Sequence, residues 1–171
     1  MRRLLVLALS IFGLLVTAAP VSAGGATQVS GVGTLVALGE VGVEACPEDL
    51  FPGEDNDVDQ YALELTGDLE GCIYGLVTSA RFHPSGTYQE VADEIFVGSW
   101  GGGPPGTFEL TEFFTAKFDT ETEAQIFGRC QHPITTGSGT GAFEGVSGRL
   151  DFKDDVNLGV ANYRGHLTQG S

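Results

Sequence analysis

The chain has 171 residues, 26 of them glycine, and a formal net charge of −15 at pH 7. Acidity of this size disfavours nucleic acids and anionic membrane surfaces as partners, because both repel a negatively charged protein. The length is that of one domain, large enough to bury a core of its own.

The first 23 residues have the pattern of a secretory signal peptide. Arg2 and Arg3 precede an apolar run from Leu4 to Ala19, and the small residues 21–23 are typical of a cleavage site. The alternative is a membrane anchor, but the run is shorter than the roughly 20 residues of a spanning helix, and no later segment is apolar enough to span. We therefore expect cleavage after Ala23, a secreted protein, and one domain over residues 24–171.

Strand signals dominate the rest of the chain. No segment combines a 3.6-residue apolar repeat with helix caps, whereas β-branched and aromatic runs recur between Gly, Pro, Asn and Asp. The predicted strands are Gln28–Leu38, Asp59–Leu69, Cys72–Phe82, Thr87–Trp100, Thr107–Phe118, Thr122–His132, the segment Gly137–Asp151 and Asn157–Thr168. These consecutive strands predict an antiparallel up-and-down β-barrel, since closure removes two exposed edges, and a two-sheet sandwich is the alternative. A barrel of about eight strands is filled by side chains or holds one small ligand.

Glycine and proline mark the predicted connections. A polar, acidic loop, Gly39–Val58, follows the first strand, and Gly71 is the predicted turn between the second and third. Residues 101–106, GGGPPG, are predicted to be a loop, and Val91–Asp93 a bulge. The densest glycine segment, 137–151, is predicted to be one strongly bent strand near the closing edge of the barrel.

Within that segment, Gly139–Gly145 reads GTGAFEG and is followed by Gly148. This run resembles the GTGxFxGxxG signature of allene oxide cyclase-like and dirigent-like β-barrels, and the chain length and strand number are similar too. The resemblance implies a calycin-type, lipocalin-like barrel, in a bacterial secreted member of a group that also includes plant cyclases and phenoxy-radical coupling guides. No catalytic position of the plant enzymes is matched in this sequence, so none is carried over.

Glu112 is the first candidate for chemistry. Because side chains alternate along a strand, it shares a face with Phe108, Leu110, Phe114, Ala116 and Phe118. If that face lines the lumen, Glu112 is a buried carboxyl that can serve as a general acid or base, or as a ligand anchor. Two alternatives remain open: Phe113 sets the inner face, or Glu112 forms a structural ion pair with Arg129 or Arg149.

Tyrosines and histidines supply the remaining polar rings. Tyr74, Tyr88 and Tyr163 are candidates to place hydroxyls in the lumen, and the alternative is that they are ordinary barrel aromatics with their oxygens near a rim. His83 and His132 precede prolines and are predicted at strand ends on the rim. His166 is predicted on the outer polar face.

No metal site is predicted. Asp55, Asp57 and Asp59 imitate the start of a calcium loop, but Gln60 and Thr66 stand where that loop needs Gly and Glu, so a solvated acidic loop is favoured. The histidines form no close pair in sequence, and the cysteine spacings match no zinc pattern. The glycines of segment 137–148 are not a phosphate cradle, because no helix follows them.

The three cysteines, Cys46, Cys72 and Cys130, predict one disulfide and one free thiol in an exported protein. Cys72 and Cys130 fall at the same mouth of a meander, which favours their pairing. Their strands are not neighbours, however, and a disulfide needs Cα atoms within about 7 Å. A Cys46 loop that reaches either partner therefore stays open. Cys130, beside Arg129 and near His132, is the better nucleophile candidate, and a structural role is favoured for it.

Three functions remain. The leading hypothesis is a secreted barrel that binds a small apolar ligand without a cofactor, through Tyr74, Phe108, Glu112, Phe114 and Tyr163. The second is a cyclase or isomerase-like enzyme in which Glu112 and a tyrosine guide protons. The third is a structural or surface-interaction module with a filled core. An inward Glu112 beside an open pocket favours the first two, and a packed lumen favours the third.

Overall fold

The computed structural model describes residues 25–36, Cys46 and residues 60–170, and these contain strands and no helix. The strands are β1 (Thr27–Val36), β2 (Gln60–Gly67), β3 (Leu69–Phe82), β4 (Thr87–Trp100), β5 (Pro105–Phe118), β6 (Gln125–Pro133), β7 (Thr140–Gly141), β8 (Val146–Asp155) and β9 (Val160–Gln169). The predicted signal peptide lies outside the described residues, and so do Asp55, Asp57 and Asp59 of the predicted acidic loop. Within the described ranges, no helix is long and apolar enough to cross a membrane.

Eight of these strands close into an antiparallel up-and-down barrel. Each pairs with its neighbour in the chain, β4 pairs with β5, and β1 pairs with both β2 and β9, from Thr27 opposite Leu167 onward. The two-residue β7 adds to β5 beside the barrel wall. The predicted eight-stranded barrel is confirmed, and the sandwich alternative is excluded because β9 returns to β1.

The barrel interior follows the alternation of the strands. On β5, Phe108, Leu110, Glu112 and Ala116 are buried, whereas Phe113 is 51% exposed. Phe113 therefore belongs to the outer face, and the inner face predicted for this strand is confirmed. The same alternation places Tyr61, Leu63 and Leu65 of β2 inside the barrel.

One end of the barrel is packed solid by aromatic rings. Phe96 and Phe108 lie with ring centroids 4.9 Å apart, and Phe143 meets both rings edge-on. All three side chains are fully buried. Burial of rings of this size supplies a large share of the hydrophobic stabilisation. The barrel consequently has one closed end.

Phe143 reaches that end because the glycine-rich segment is not a single strand. The prediction of one bent strand over 137–151 is wrong: β7 ends at Gly141, a turn follows, and β8 begins at Val146. Gly141 and Gly145 both have positive φ, of 58° and 72°, which glycine adopts at little cost. The turn between them directs Phe143 into the barrel.

Other strand boundaries differ from prediction by a few residues. The β2–β3 turn lies at Gly67 to Leu69, earlier than the predicted turn at Gly71, and β5 begins at Pro105 rather than after the proline–glycine loop. Proline is tolerated as the first residue of a strand because it need not donate there. The predicted irregularity near Val91 exists, but the register shift is on the facing strand, between Val77 and Ser79.

The disulfide joins Cys46 to Cys72, and Cys130 is a buried free thiol. The predicted Cys72–Cys130 pair is therefore wrong. Cys72 lies on the outer face of the barrel wall in a buried cluster with Ala62, Tyr74 and Cys46. Cys130 belongs to the inner core. The wall of the barrel separates the two side chains, and Cys46 meets Cys72 from outside.

Candidate functional site: a lumen cavity with a polar floor

The end of the barrel opposite the aromatic cluster holds a cavity of about 750 Å³. Most of its wall is apolar, with Leu63, Val77, Phe114, Phe152 and Ala161 among the lining residues. A volume of this size is typical of pockets for small molecules. The lumen is thus packed at one end and hollow at the other.

The floor of this cavity carries a buried polar network of Tyr61, Glu94, Glu112 and His132. Tyr61 Oη lies 2.7 Å from Glu94 Oε1 and 2.9 Å from Glu112 Oε2. His132 Nδ1 lies 2.6 Å from Glu94 Oε2. The two glutamates are about 5% exposed and His132 is fully buried. Glu112 and Tyr61 line the cavity itself, so the network is reached from the lumen through them.

Strand register brings these side chains together. Phe113 pairs with Gln131 and Leu110 with Ile134, so Glu112 and His132 stand opposite each other on β5 and β6. Cross-strand neighbours on one face have Cβ atoms about 5 Å apart, close enough for carboxylate and imidazole to interact. Cys130 lies two residues before His132 and shares its inward face.

The protonation of the two glutamates follows from the fact that the Tyr61 hydroxyl has a single hydrogen to donate. Tyr61 can donate to one carboxylate at a time, so the other carboxyl must be protonated to hydrogen-bond its oxygen. Burial, and next the charge of Glu94, raise the pKa of Glu112 to about 8. Glu112 is therefore the acid that keeps its proton at neutral pH and donates to Tyr61, while Tyr61 donates to Glu94.

The same buried, acidic environment shifts the pKa values of His132, Tyr61 and Cys130. Burial alone would lower the pKa of His132, but the charge and hydrogen bond of Glu94 outweigh it, and the pKa is raised. His132 Nδ1–H thus donates to a carboxylate of Glu94 that accepts from both sides. Burial, and next the charges of the neighbouring glutamates, raise the pKa of Tyr61 and of Cys130, so both stay protonated in the free protein.

Of the ligand-site residues predicted from the sequence, some line the cavity and others lie elsewhere in the barrel. Glu112 and Phe114 line the cavity, as does Tyr88. Phe108 lies below the cavity in the aromatic cluster, and the hydroxyl of Tyr163 contacts the Leu69 backbone, accepting from its N–H at 2.9 Å. Tyr74 is on the outer face, so the expectation that it lines the lumen is wrong: its neighbour Ile73 occupies the inner face instead.

The alternatives for Glu112 are also decided. Arg129 and Arg149 are exposed, and Arg149 pairs with Asp151 at 2.8 Å, so neither neutralises Glu112. His83 and His166 lie at the rim and on the outer face, as predicted. The rim position predicted for His132 is wrong, because β6 continues through Pro133 and an isolated bridge at Ile134 extends the pairing.

Sequence reasoning missed Tyr61, Glu94 and His132 as site residues. Tyr61 carried a usable signal, since its strand alternation already placed it inward with Leu63 and Leu65. Glu94 shares a face of its strand with Ala92 and Phe96. The bulge expected at 91–93 left open whether that face points into the barrel. His132 lies two residues after Cys130, so both share the inner face of β6. The adjacent Pro133 suggested a strand end, and His132 was therefore not predicted to point inward.

Comparison with known proteins adds no relative: no family model, no curated protein and no solved structure matches the chain.

Proposed function

We propose that the protein binds one small, largely apolar molecule in the open half of its barrel. The observation that carries this proposal is the cavity of about 750 Å³ with mainly apolar walls and a polar group, Glu112, at its floor. Apolar walls supply affinity, and a few convergent polar groups orient the ligand. A filled-core structural module would leave no such space.

The ligand proposed here is neutral or basic rather than anionic. Glu90, Glu112, Asp154 and Asp155 all line the cavity, and no lysine or arginine does so among its lining residues. An anion entering this space would meet acidic side chains and no neutralising cation among the lining residues, in surroundings of reduced dielectric. A hydroxyl, carbonyl or amine at one end of an apolar body can hydrogen-bond to Glu112.

Two fluorescent probes with the same aromatic body test this proposal. N-phenyl-1-naphthylamine is neutral, and 1-anilinonaphthalene-8-sulfonate adds one negative charge. We expect the neutral probe to bind at one site per chain, at least about tenfold more tightly than the sulfonate, a difference of about 1.4 kcal/mol. Failure of both probes to bind would contradict the proposal.

A pair of neighbouring substitutions locates the binding. Ala161 lines the cavity, and Asn162 is exposed on the outer face of the same strand. Ala161→Phe should fill part of the cavity and abolish binding of the neutral probe. Asn162→Phe adds the same ring outside the barrel and should leave binding unchanged. Equal binding by both variants would place the probe on the outer surface.

A second candidate function is proton transfer in a cyclase or isomerase-like reaction, of the type suggested by the sequence resemblance. The specific observation in its favour is the continuous hydrogen-bonded chain from Glu112 through Tyr61 and Glu94 to His132. Such a chain can take a proton from a lumen substrate at Glu112 and return it there. Positioned groups of this kind typically contribute 10²–10⁴-fold to a rate.

Deuterium exchange tests this second candidate. Lipophilic ketones such as 2-decanone would be incubated in D₂O with the protein above pH 8, where Glu112 is ionised, and incorporation at the α-carbon followed by NMR. Glu112 would remove a proton from carbon and return a deuteron. Glu112→Gln should abolish enzymatic exchange, and Glu109→Gln, on the exposed face of the same strand, should not. If the probe binds but no deuterium is exchanged, the proton-transfer proposal fails and only the binding proposal stands.

The disulfide bears on where the protein acts. Disulfides persist in oxidising compartments and are rare in reducing ones. The Cys46–Cys72 bond is consistent with an extracellular protein. We propose that the protein is secreted, and N-terminal sequencing of the protein recovered from culture medium tests the expected start at Gly24.

A further inference from the structure

The cavity floor brings together three side chains that commonly bind transition metals. The Glu112 carboxylate oxygen, Cys130 Sγ and a His132 ring nitrogen lie within 4.8 Å of one another. Glu112 and Cys130 line the cavity, and His132 lies behind them, fully buried. We propose that these three residues bind one zinc ion, with a fourth coordination position directed into the cavity.

The orientation of His132 is the first independent support. Its Nε2 atom is buried, lies 4.0 Å from Glu112 Oε1, and has no hydrogen-bond partner in the described part of the chain. Buried polar atoms in native proteins are nearly always hydrogen-bonded, and an exception calls for an explanation. A metal ion between Nε2 and the Glu112 oxygen satisfies this atom.

The groups behind the three ligands are the second support. His132 Nδ1 donates to Glu94 Oε2 at 2.6 Å. Metal-binding histidines almost always donate their second N–H to a carboxylate, carbonyl or water, which fixes the ring and leaves the other nitrogen free for the metal. Tyr61 Oη lies 2.9 Å from Glu112 Oε2, and the other oxygen of that carboxyl group, Oε1, lies on the side of His132, 4.0 Å from its Nε2.

The spacing of the ligands suits zinc after a small adjustment. Zinc lies about 2.0–2.3 Å from oxygen, nitrogen and sulfur ligands in a tetrahedron, which puts neighbouring ligand atoms roughly 3.4 Å apart. The present separations of the ligand atoms, 4.0 Å between His132 Nε2 and Glu112 Oε1 and at most 4.8 Å among the three, are somewhat longer and can shorten by side-chain rotation on fixed strands. Sulfur and nitrogen ligands favour zinc over magnesium and calcium, which take oxygen ligands. Binding at neutral pH releases the thiol proton of Cys130 and the carboxyl proton of Glu112, since both ligands must be deprotonated.

This inference goes beyond the proposed lumen binding and does not depend on it. Zinc sites with three protein ligands leave a fourth position for water or substrate, and here that position opens into the cavity. The polar end of a lumen molecule can therefore meet the metal. The site is tested with metal alone, without any lumen probe, so that either proposal can fail while the other stands.

The test is cobalt spectroscopy of the purified protein. The protein would be stripped with a chelator and handled without oxygen or reductant, which keeps the disulfide closed and leaves Cys130 as its thiol. We expect one Co²⁺ per chain with a thiolate-to-cobalt charge-transfer band in the near ultraviolet, lost on addition of one equivalent of Zn²⁺. Bound Co²⁺ without that band, or no bound Co²⁺, would overturn the proposal, and this readout needs no variant.

Variants then assign the ligands. Cys130→Ser should lose the charge-transfer band, and His132→Gln should weaken Zn²⁺ binding at least about tenfold. The matched control for His132→Gln is His166→Gln, which changes an exposed histidine and should bind Zn²⁺ as the unmodified protein does; Glu109→Gln, which changes an exposed glutamate, should do the same. Unchanged metal affinity in Cys130→Ser and His132→Gln would assign binding to surface carboxylates and overturn the proposal.

Discussion

Glu112 is a carboxyl group that the fold keeps protonated at neutral pH. Its pKa is raised from an ordinary 4.5 to about 8 by burial and by the charge of Glu94. Between these two values the folded chain binds a proton that the unfolded chain has lost, so the free energy of unfolding falls as pH rises. His132, whose pKa is also raised, acts in the same direction above its ordinary value of 6.5.

Glu112→Gln isolates the contribution of this one group. Glutamine resembles the protonated acid, so we expect the variant to match the unmodified protein at about pH 4.5. Its advantage in unfolding free energy should then grow up to about pH 8 and level off above that. Urea unfolding across this range, with a chelator present, measures the difference. Parallel stability curves would show that Glu112 ionises normally. Glu109→Gln is the exposed control.

The Tyr61 hydroxyl hydrogen-bonds to two buried carboxyl groups, because it donates to Glu94 and accepts from protonated Glu112. Tyr61→Phe removes only that oxygen and leaves Glu94 Oε1 and Glu112 Oε2 without it. Each buried polar atom left unsatisfied costs about 1–3 kcal/mol, so the unfolding free energy should fall by at least about 1 kcal/mol. Urea unfolding at neutral pH measures the loss.

Tyr88→Phe is the control for that loss. Tyr88 also hydrogen-bonds to a glutamate, Glu90, but both side chains are half-buried at the cavity, where water can replace the lost hydroxyl. Its cost should be smaller than that of Tyr61→Phe. Equal costs would show that the shared Tyr61 hydroxyl has no special place in the network.

The predictability of the site differs from residue to residue for physical reasons. The inward position of Glu112 follows from alternation on a long strand rich in phenylalanine, which the sequence displays. The partners of Glu112 depend on how β5 aligns with β6 and how β2 faces them across the lumen. Register between strands is set by turns and bulges whose geometry a single sequence does not specify. The contacts of Glu94 and His132 with the rest of the Glu112 site could therefore not be predicted from the sequence.

At the scale of the element, the disulfide joins Cys46, outside the barrel wall, to Cys72 of β3. Cys46 and Cys72 are 26 residues apart in sequence. A crosslink closing a loop of that length lowers the entropy of the unfolded chain by an amount worth about 3–4 kcal/mol. Replacing both cysteines by alanine should reduce the unfolding free energy by about that much, measured by urea unfolding without reductant.

Thiol counting provides the check on that pairing. The protein denatured without reductant should react with one equivalent of thiol reagent, at Cys130. The double variant should also show one. Three reactive thiols in the unmodified protein would contradict the disulfide, and labelling at Cys46 with Cys130 protected would restore the pairing first predicted.

The glycines of the β7–β8 region illustrate two distinct backbone demands. Gly148 has φ of +135°, and a Cβ there would lie 1.9 Å from the His166 carbonyl oxygen on β9. Gly137 has φ of +82° but open space around it. Gly137→Ala should cost about 1–2 kcal/mol through backbone strain alone. Gly148→Ala should cost more than twice as much, because two strands must also separate.

Urea midpoints of the two glycine variants measure this difference. Similar midpoints would show that the β8–β9 pairing adapts to a side chain at 148. The same two glycines explain why the glycine-rich segment predicts a barrel strand correctly but does not show that it contains two strands, β7 and β8. Glycine density indicates close backbone approach, but Gly148 lies within β8 and Gly137 lies between β6 and β7, so the glycines alone do not show where a strand ends.

At the scale of the whole molecule, the barrel joins a packed half to a hollow half. The packed half contains the aromatic cluster of Phe96, Phe108 and Phe143, and the hollow half contains the cavity above Glu112. Strand number and closure were predictable, because about eight alternating runs leave few economical arrangements. The cavity of the hollow half was not predictable from the sequence. Its volume depends on how far the inward-facing side chains reach across the lumen, and in a closely packed interior small differences in side-chain volume decide whether space remains.

A molecule bound in the hollow half should stabilise the entire barrel, because closure makes all strands unfold together. Binding only to the folded state adds RT ln(1 + [L]/Kd) to the unfolding free energy, about 2.7 kcal/mol at a concentration of 100 Kd. N-phenyl-1-naphthylamine at that concentration should therefore raise the urea midpoint of the unmodified protein and of Asn162→Phe. Ala161→Phe, with its cavity partly filled, should show no shift. A shift of equal size in Ala161→Phe would mean that the probe stabilises the fold from outside, and the hollow half would then have no part in binding.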